Sequence, residues 1–176
     1  MRDIYGLEYI PDLPDTMFRP TDTAPIIVKA DKLEVRLAVW GFPQPKDTKP
    51  KLSLFNARDD RLLTAPMWRE AFRVRRCVVP ASEFHEFSGV KGAKTRHAFT
   101  PSHAPVFHFA GLWEANHFTI ITTSANSTVS SYHDRMPVIL KPRDLEVWLD
   151  PTASLEVLIW LCKPYAQDRL RVRDSV

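Results

Sequence analysis

Four short segments of this sequence combine side chains that suit a functional site. A carboxylate, Glu86, and an imidazole, His133, are of the types that most often transfer protons near neutral pH. Two other segments add an amide at Asn56 and a large aromatic surface at Trp40. The segments read Trp40-Gly41-Phe42-Pro43, Asn56-Ala57-Arg58, Arg75 through Glu86, and His133-Asp134-Arg135-Met136-Pro137. Together they indicate acid–base chemistry beside an aromatic surface.

Each of these residues also has a structural interpretation, and the residues alone leave both open. Trp40 at a strand end is either a core residue or a platform on which a base stacks. Glu86 lies among aromatic residues, so its carboxylate is either paired for structural reasons or catalytic. His133 is either a hydrogen-bonded loop histidine or an acid–base group. Asn56 can simply cap the turn that follows it.

Short β-strands must position these segments. The 15 prolines divide the chain into short elements. Residues 33–40 alternate between apolar and other side chains, which is typical of a half-buried strand. Further strands are predicted at 25–30, 77–79, 83–87, 96–99, 106–113, 118–123 and 138–140. Helices are predicted at 64–72, 142–148 and 154–162, the last of them buried, with a loosely held tail over 167–176.

Length and composition predict one globular domain over residues 1–176, in which 151–176 form a C-terminal helix and tail. Hydrophobic residues make up 44% and charged residues 26% of the chain. We find no apolar run long enough to span a membrane and no signal-like apolar stretch at the start, so we expect a cytoplasmic protein, associated with the nucleoid when it is bound to DNA. Cys77 and Cys162 lie in segments predicted to be buried, and we expect both thiols to be reduced.

Charge and motifs restrict the possible ligands. The chain has 24 Lys+Arg and 21 Asp+Glu, so its net charge of +3 does not by itself indicate a nucleic-acid partner. A local basic cluster is either a phosphate-binding face or a solvated surface, and it consists of Arg69, Arg73, Arg75, Arg76, Lys91, Lys94 and Arg96. The sequence contains no P-loop, no dinucleotide-binding glycine pattern and no Cys/His set with zinc spacing, so we expect neither a cofactor nor a metal.

In order and approximate spacing, the segments resemble the SRAP family, the SOS response-associated peptidases that sense abasic sites in single-stranded DNA. The family pattern runs WG-P, NAR, RRC-(V/L)-(V/I)-PA followed by (F/Y)-x-E, GLWE, TT-AN and HDRMPV-L. Here these blocks read Trp40-Gly41-Phe42-Pro43, Asn56-Ala57-Arg58, Arg75 through Ala81 and on to Glu86, Gly111-Leu112-Trp113-Glu114, Thr122-Thr123-Ser124-Ala125-Asn126, and His133 through Leu140. The resemblance covers about residues 19–150.

The resemblance implies an α+β fold, in which a strongly twisted, barrel-like mixed β-sheet is flanked by short helices. It also implies a protein, expected to be monomeric, that binds single-stranded or gapped DNA and processes abasic sites in the DNA damage (SOS) response. The implied pocket residues are Asn56, Glu86 and His133, and the implied DNA-binding residues are Trp40, Arg58, Arg135 and Arg2.

The sequence departs from the family at its reactive residue. Family members attack the abasic aldehyde through a cysteine directly after the initiator methionine, and the amine and thiol then close a thiazolidine. Here Arg2 follows Met1, so no thiazolidine can close. Cys77 and Cys162 are poor substitutes, because both are predicted to be buried. The remaining candidate nucleophile, a hypothetical one, is the α-amine of Met1. The pKa of an α-amine is ordinarily about 7.7–8.0.

Three explanations of Arg2 stay open. In the first, the natural start of the chain differs and restores the cysteine. In the second, the Met1 amine forms a reversible imine, which predicts lyase-like activity without lasting cross-links. In the third, Arg2 contributes a phosphate contact to a non-catalytic module for single-stranded or gapped DNA. Beside abasic-site processing and DNA binding without chemistry, the third functional alternative is a structural domain with an empty site. The family name also implies a peptidase (hydrolase) activity, but the cysteine that such an activity would release is absent.

Overall fold

Ten strands form within the described part of the chain, several of them from segments rich in β-branched and aromatic residues. The computed structural model describes residues 5–7, 17–42, 54–90 and 93–175. Its strands are β1 (Thr23–Lys29), β2 (Leu33–Trp40), β3 (Asn56–Arg58), β4 (Arg76–Ala81), β5 (Phe84–Val90), β6 (Ala93–Pro101), β7 (Phe107–Glu114), β8 (His117–Ser124), β9 (Arg135–Pro137) and β10 (Leu170–Ser175). The strand predicted at 33–40 is confirmed as β2 over the same residues.

Three short α-helices and four 3-10 turns connect and cover the strands in these described segments. The helices are α1 (Pro66–Val74), α2 (Leu145–Leu149) and α3 (Leu155–Leu161). The 3-10 turns are Asp59–Arg61, Val129–Ser131, Pro142–Asp144 and Gln167–Arg169. None of the helices in the described ranges has the length and apolar character needed to cross a bilayer.

Seven strands form one twisted sheet that closes on itself. β1 pairs antiparallel with β2 and β4, β4 pairs with β7, and β7 pairs with β8. Parallel pairing of β8 with β2 completes the ring, and β3 and β9 join β8 as well. A second, antiparallel sheet has the order β10-β6-β5. The predicted α+β fold with a barrel-like mixed sheet and short flanking helices is therefore confirmed.

Alternate residues of the barrel strands supply two cores, because successive side chains point to opposite faces of a sheet. On one face, Ile121 of β8 belongs to a cluster with Phe72 of α1 and Trp148 of α2. On the other face, Ile120 belongs to a cluster with Phe84 and Phe99 of the second sheet. The barrel is therefore covered by helices on one side and by the second sheet on the other.

Two elements near the C-terminus differ from the prediction. The tail predicted to be loosely held forms β10, which pairs with β6 over its full length while Leu170 is buried. The strand predicted at 138–140 is shifted, since β9 ends at Pro137 and only an isolated bridge joins Ile139 to Phe109. Both corrections involve pairing partners that are distant in sequence, which periodicity does not reveal.

The prediction that the last helix is buried is wrong for half of its surface. Leu158 and Leu161 of α3 pack into the core, but Ile159 is 46% and Trp160 is 60% exposed. A helix that lies on one side of a barrel can bury only one face, and the apolar composition of α3 does not change that geometry.

The arginine cluster identified in the sequence does not form one face. Arg69 and Arg73 are exposed on α1, whereas Arg75 forms an ion pair with Glu114 at 2.8 Å. Arg76 is 5% exposed and is hydrogen-bonded inside the protein. The cluster is therefore divided between solvent, the surface of the barrel and the core. Lys91 lies outside the described residues.

A buried hydrogen bond attaches the start of the chain to the barrel. The hydroxyl group of Tyr5 is hydrogen-bonded to Nδ1 of His108 on β7, and the two rings meet edge to face. Burial lowers the pKa of His108 and raises that of Tyr5. The folded state therefore favours the neutral imidazole, because burial penalises the imidazolium.

This pair predicts acid sensitivity. Because the pKa of His108 is lower in the folded protein than its ordinary value of about 6.5, its contribution to stability is complete above pH ~6.5 and is lost as the pH falls through the folded pKa. Urea denaturation between pH 7 and 5 is expected to show a falling free energy of unfolding. His108→Gln should flatten this dependence, and Tyr5→Phe should cost about 1–2 kcal/mol at pH 7. An unchanged pH dependence in His108→Gln would contradict the assignment.

Candidate functional site

The end of β8 brings together two of the segments singled out in the sequence. β3 lies parallel to β8, with Asn56 opposite Ile120 and Arg58 opposite Thr122. β9 lies antiparallel to β8, with Arg135 opposite Ser124. The Asn56-Ala57-Arg58 and His133–Pro137 segments therefore meet at one strand end, although they are far apart in the sequence.

Asp59 joins the two segments, and sequence analysis did not identify it. Its Oδ1 atom accepts a hydrogen bond from Nη2 of Arg135 at 2.6 Å, and its Oδ2 atom accepts one from the hydroxyl of Thr123 at 2.8 Å. Arg135 also donates to the carbonyl of Thr122. The side chain of Arg135 is only 15% exposed and its guanidinium holds the two segments together, while its contact with DNA stays a prediction. The position of Asp59 directly after Arg58 was the only available signal.

Arg58 is the more accessible of these two arginines. Its side chain is 56% exposed and forms two parallel hydrogen bonds with Asp60, Nε to Oδ1 at 3.0 Å and Nη2 to Oδ2 at 2.7 Å. This guanidinium holds the pKa of Asp60 below its usual range. An exposed ion pair contributes little to stability, so a phosphate can replace Asp60 at the same two donors.

Glu86 lies on β5 in the second sheet, and its pKa responds to charges in the loop before β9. Burial raises the pKa of Glu86, the charge of His133 opposes that shift, and the charge of Asp134 adds to it. The charge of Asp134 also acts on Arg58. The charge of Asp134 therefore influences both Arg58 on β3 and Glu86 on β5, and Asp134 directly follows His133 in the sequence. Neither the family motif nor periodicity indicated this role of Asp134.

His133 has partners for both of its protonation states. Its Nδ1 atom lies 3.0 Å from the backbone nitrogen of Arg135, 3.1 Å from the carbonyl oxygen of the same residue and 3.3 Å from Oδ1 of Asp134. A neutral ring can accept the Arg135 N–H at Nδ1 and carry its proton on Nε2. A protonated ring can donate from Nδ1 to the carbonyl or the carboxylate. This arrangement suits a group that exchanges protons.

Trp40 contacts the residue before β3, and Asn56 is the first residue of β3. The indole N–H of Trp40 donates to the carbonyl of Phe55 at 2.8 Å, and its ring stacks on Phe118 with centroids 6.2 Å apart. These contacts support a structural role for Trp40, and its contact with DNA stays a prediction. Asn56 begins β3 and is exposed. Met1 and Arg2, the predicted nucleophile position, lie outside the described residues.

The two cysteines do not supply an alternative nucleophile. Cys77 and Cys162 are both buried, as predicted. Burial raises the pKa of both thiols, that of Cys162 to about 12, where the nearby Asp59 carboxylate contributes as well. The reactive thiolate is therefore a negligible species at neutral pH. Within the described ranges, no group of three or more His, Cys, Asp or Glu side chains is arranged to hold a metal ion.

A family model and the similar known proteins agree on one family. The model of the family described as SOS response associated peptidase (SRAP) matches residues 11–175. Abasic site processing protein YoqW of Bacillus subtilis is 33% identical over 142 residues, which cover 73% of this chain and 63% of that protein. Abasic site processing protein YMR114C of Saccharomyces cerevisiae is 31% identical over 137 residues, 69% of this chain and 37% of that protein. The chain thus spans about 63% of the length of the Bacillus relative.

Solved structures share the fold. A protein from Bacteroides thetaiotaomicron superposes with a TM-score of 0.78 at 28% identity, covering 88% of this chain and 74% of that chain. A protein from Bordetella bronchiseptica superposes with a TM-score of 0.84 at 24% identity, covering 100% of this chain and 94% of that chain. The second similarity concerns the fold alone.

Proposed function

Since this chain belongs to the SOS response-associated peptidase (SRAP) family, we propose that it processes abasic sites in DNA as part of the DNA damage response. The relatives named as abasic site processing proteins support this proposal. The observation that carries it is the meeting of β3 and β9 on β8, which brings the segment of Arg58, a phosphate-binding side chain, to the segment of His133, an acid–base group, while the pKa of Glu86 responds to the charges of His133 and Asp134. The DNA we propose is single-stranded or gapped, because a nucleotide must leave the base stack to enter such a site.

The chemistry we propose is imine formation with the aldehyde of the opened abasic sugar. An amine nitrogen attacks the carbonyl carbon and gives a carbinolamine. The hydroxyl group then leaves as water when an acid protonates it, and the nitrogen loses a proton. Glu86 is the proposed acid, because burial raises its pKa and keeps more of it protonated than an exposed glutamate. His133 has the partners to receive the amine proton, and Arg58 is the proposed phosphate ligand.

We propose the α-amine of Met1 as the nucleophile, because residue 2 is arginine. Without a thiol next to the amine, the imine is not captured as a thiazolidine and stays reversible. Arg2 also favours a second candidate function, a module that only binds DNA and in which the arginine adds a phosphate contact where the family has its nucleophile. The two candidates differ in whether any covalent intermediate forms.

Borohydride trapping separates these candidates. The chain is incubated with a single-stranded oligonucleotide that carries one abasic site, with and without borohydride, and adducts are resolved on a denaturing gel. We expect an adduct only with borohydride. Arg2→Cys, whose small second residue allows Met1 to be removed, should form a stable adduct without reductant, whereas Arg2→Ala should not.

Three outcomes would contradict parts of this account. Binding without any trapped adduct would favour the non-catalytic module. Equally stable reductant-free adducts from the natural chain and from Arg2→Cys would show that the interpretation of Arg2 is wrong. No binding to either intact or abasic oligonucleotides would reject the proposed function.

A further inference from the structure

A cavity of about 350 Å³ opens on a surface that none of the motifs includes. It lies between the chain before β7, the 3-10 turn that precedes α2 and the segment that leads into β10. Its lining residues are His103, Ala104, Lys141, Pro142, Arg143, Tyr165 and Arg169. Three of these residues are lysine or arginine, one is histidine and none is acidic, so the wall has a positive potential.

A second, smaller cavity of about 150 Å³ continues this surface and shares Lys141 and Tyr165 with the first. It adds Trp160 of α3 and Lys163, which follows α3, and the ammonium group of Lys163 lies 3.3 Å from the centroid of the Trp160 ring. We call the two cavities together the basic cleft, lined by the cations Lys141, Arg143, Lys163 and Arg169 and by the aromatic residues Trp160 and Tyr165.

The cations of the basic cleft are poorly neutralised by the protein. Asp144 is the one acidic residue that lines either cavity, and its Oδ1 atom lies 3.8 Å from Nε of Arg143. Among the described residues, no carboxylate forms an ion pair with Lys141 or Arg169. Lys141 and Arg169 thus come from two separate chain segments to one concave surface without a carboxylate partner among the described residues, and an anion bound there is attracted by both charges.

Hydrogen bonds connect the basic cleft to the loop that carries His133. Asn126 Nδ2 donates to the carbonyl of Tyr165 at 2.8 Å. The Oδ1 atom of the same residue accepts from the backbone nitrogen of Val129 at 2.9 Å, and the carbonyl of Val129 accepts from the nitrogen of His133 at 3.0 Å. One wall of the basic cleft is thus joined through Asn126 to the candidate site.

From Lys141 and Arg169, which have no carboxylate partner among the described residues, the exposed indole and the hydrogen-bonded connection through Asn126 to the His133 loop, we propose that the basic cleft is a second phosphate-binding site. It would hold the sugar-phosphate backbone of the strand whose abasic nucleotide occupies the candidate site, and it therefore rests on the proposed function. Cations that follow the backbone, together with aromatic faces on which bases stack, are the usual means of binding single strands. Lys141 and Arg169 are the proposed phosphate ligands, and Trp160, 60% exposed, is the proposed stacking surface.

Fluorescence anisotropy with oligonucleotides of two lengths tests this proposal. Single strands of 6 and 20 nucleotides, each with one stable abasic analogue, are titrated with the natural chain and with Lys141→Gln/Arg169→Gln. We expect the double variant to bind the longer strand about tenfold more weakly, because two charge-assisted contacts are lost. The shorter strand should bind equally well to both proteins. The slope of log K against log salt should fall by about 1.4, at ~0.7 per phosphate contact of a single strand.

Arg69→Gln/Arg73→Gln is the matched control, because it removes the same charge from exposed positions on α1. An equal loss of affinity in this control, or an unchanged affinity in Lys141→Gln/Arg169→Gln, would overturn the proposal while leaving the proposed function intact. Failure of the natural chain to bind either strand would reject the proposed function as well. Inorganic phosphate or dAMP binding that is lost in the Lys141/Arg169 variant, without any effect of strand length, would reassign the basic cleft to a small phosphate ligand.

Discussion

Glu86→Gln is expected to slow the formation of the borohydride-trapped adduct by about 10²- to 10⁴-fold, which is the usual contribution of a general acid. The amide has nearly the shape of the carboxyl group but has no acidic proton to give to the leaving hydroxyl. Binding of the abasic oligonucleotide should change by less than about twofold, because Arg58 and the other proposed phosphate ligands remain. The rate is measured by single-turnover trapping, and binding by anisotropy.

Stability provides a second measurement that separates a chemical defect from misfolding. Burial raises the pKa of Glu86, so the folded state holds this proton more tightly than the unfolded state does. That contribution is complete below the ordinary glutamate pKa of about 4.3 and is lost as the pH rises through the folded pKa. Glu86→Gln removes a half-buried charge at neutral pH, so it should not lower the free energy of unfolding at pH 7.

Glu83→Gln is the matched control for Glu86→Gln, since Glu83 lies just before β5 and pairs with Arg173 at 2.8 Å, not with the candidate site. It should trap adduct at the natural rate. A slow Glu83→Gln, or a Glu86→Gln that traps adduct as fast as the natural chain, would show that Glu86 is not the acid.

Arg76→Met is expected to lower the free energy of unfolding by about 3 kcal/mol, because it leaves several buried carbonyl groups without donors. The guanidinium group of Arg76 donates to the carbonyls of Trp148 at 2.6 Å, Phe72 at 2.7 Å and Asp150 at 2.5 Å, and also to that of Arg73. These acceptors lie at the C-terminal ends of α1 and α2, where helical carbonyls have no partner within the helix. One side chain therefore caps two helices against β4.

The neighbouring arginine is the control for this stability measurement. Arg75→Gln removes an ion pair with Glu114 at the surface, which should cost less than about 1 kcal/mol. Arg76→Lys, with a single ammonium group, should fall between the two, because it retains the charge but cannot reach all four carbonyls. Urea denaturation with equal m-values measures all three. Similar costs for Arg75→Gln and Arg76→Met would contradict the capping role.

Local patterns predicted the bounds of several regular elements. The strand predicted at 33–40 has the bounds of β2, although Leu37 is 54% exposed and Ala38 is the buried residue, and Pro66 begins α1 as its position at a helix start indicates. The pattern failed at β10, where pairing with β6 orders a segment that composition described as a polar tail. A strand of this kind is stabilised by backbone hydrogen bonds to a distant partner, and these leave little trace in its own sequence.

Some residues of the candidate site were likewise predicted from the sequence, and others were found only in the structure. Its proposed acid–base residues and Arg58 were predicted from residue type and motif, and their roles stay predictions. The functions of the other arginines were not, because one guanidinium can face solvent, pair at a surface or cap a helix without any change in local sequence. Asp59 and Arg135 are 76 residues apart, and only the meeting of β3 and β9 on β8 joins them.

The sequence by itself determined the family and the bounds of several strands, because both depend on residue identity or on neighbours along the chain. The tertiary structure decided which polar groups lie close together and which form their hydrogen bonds inside the protein. Closure of the barrel joins Asp59 to Arg135 across β8, buries Arg76 and brings Lys141 and Arg169 to the basic cleft. Distance and burial set electrostatic energies, and neither is a property of the linear chain.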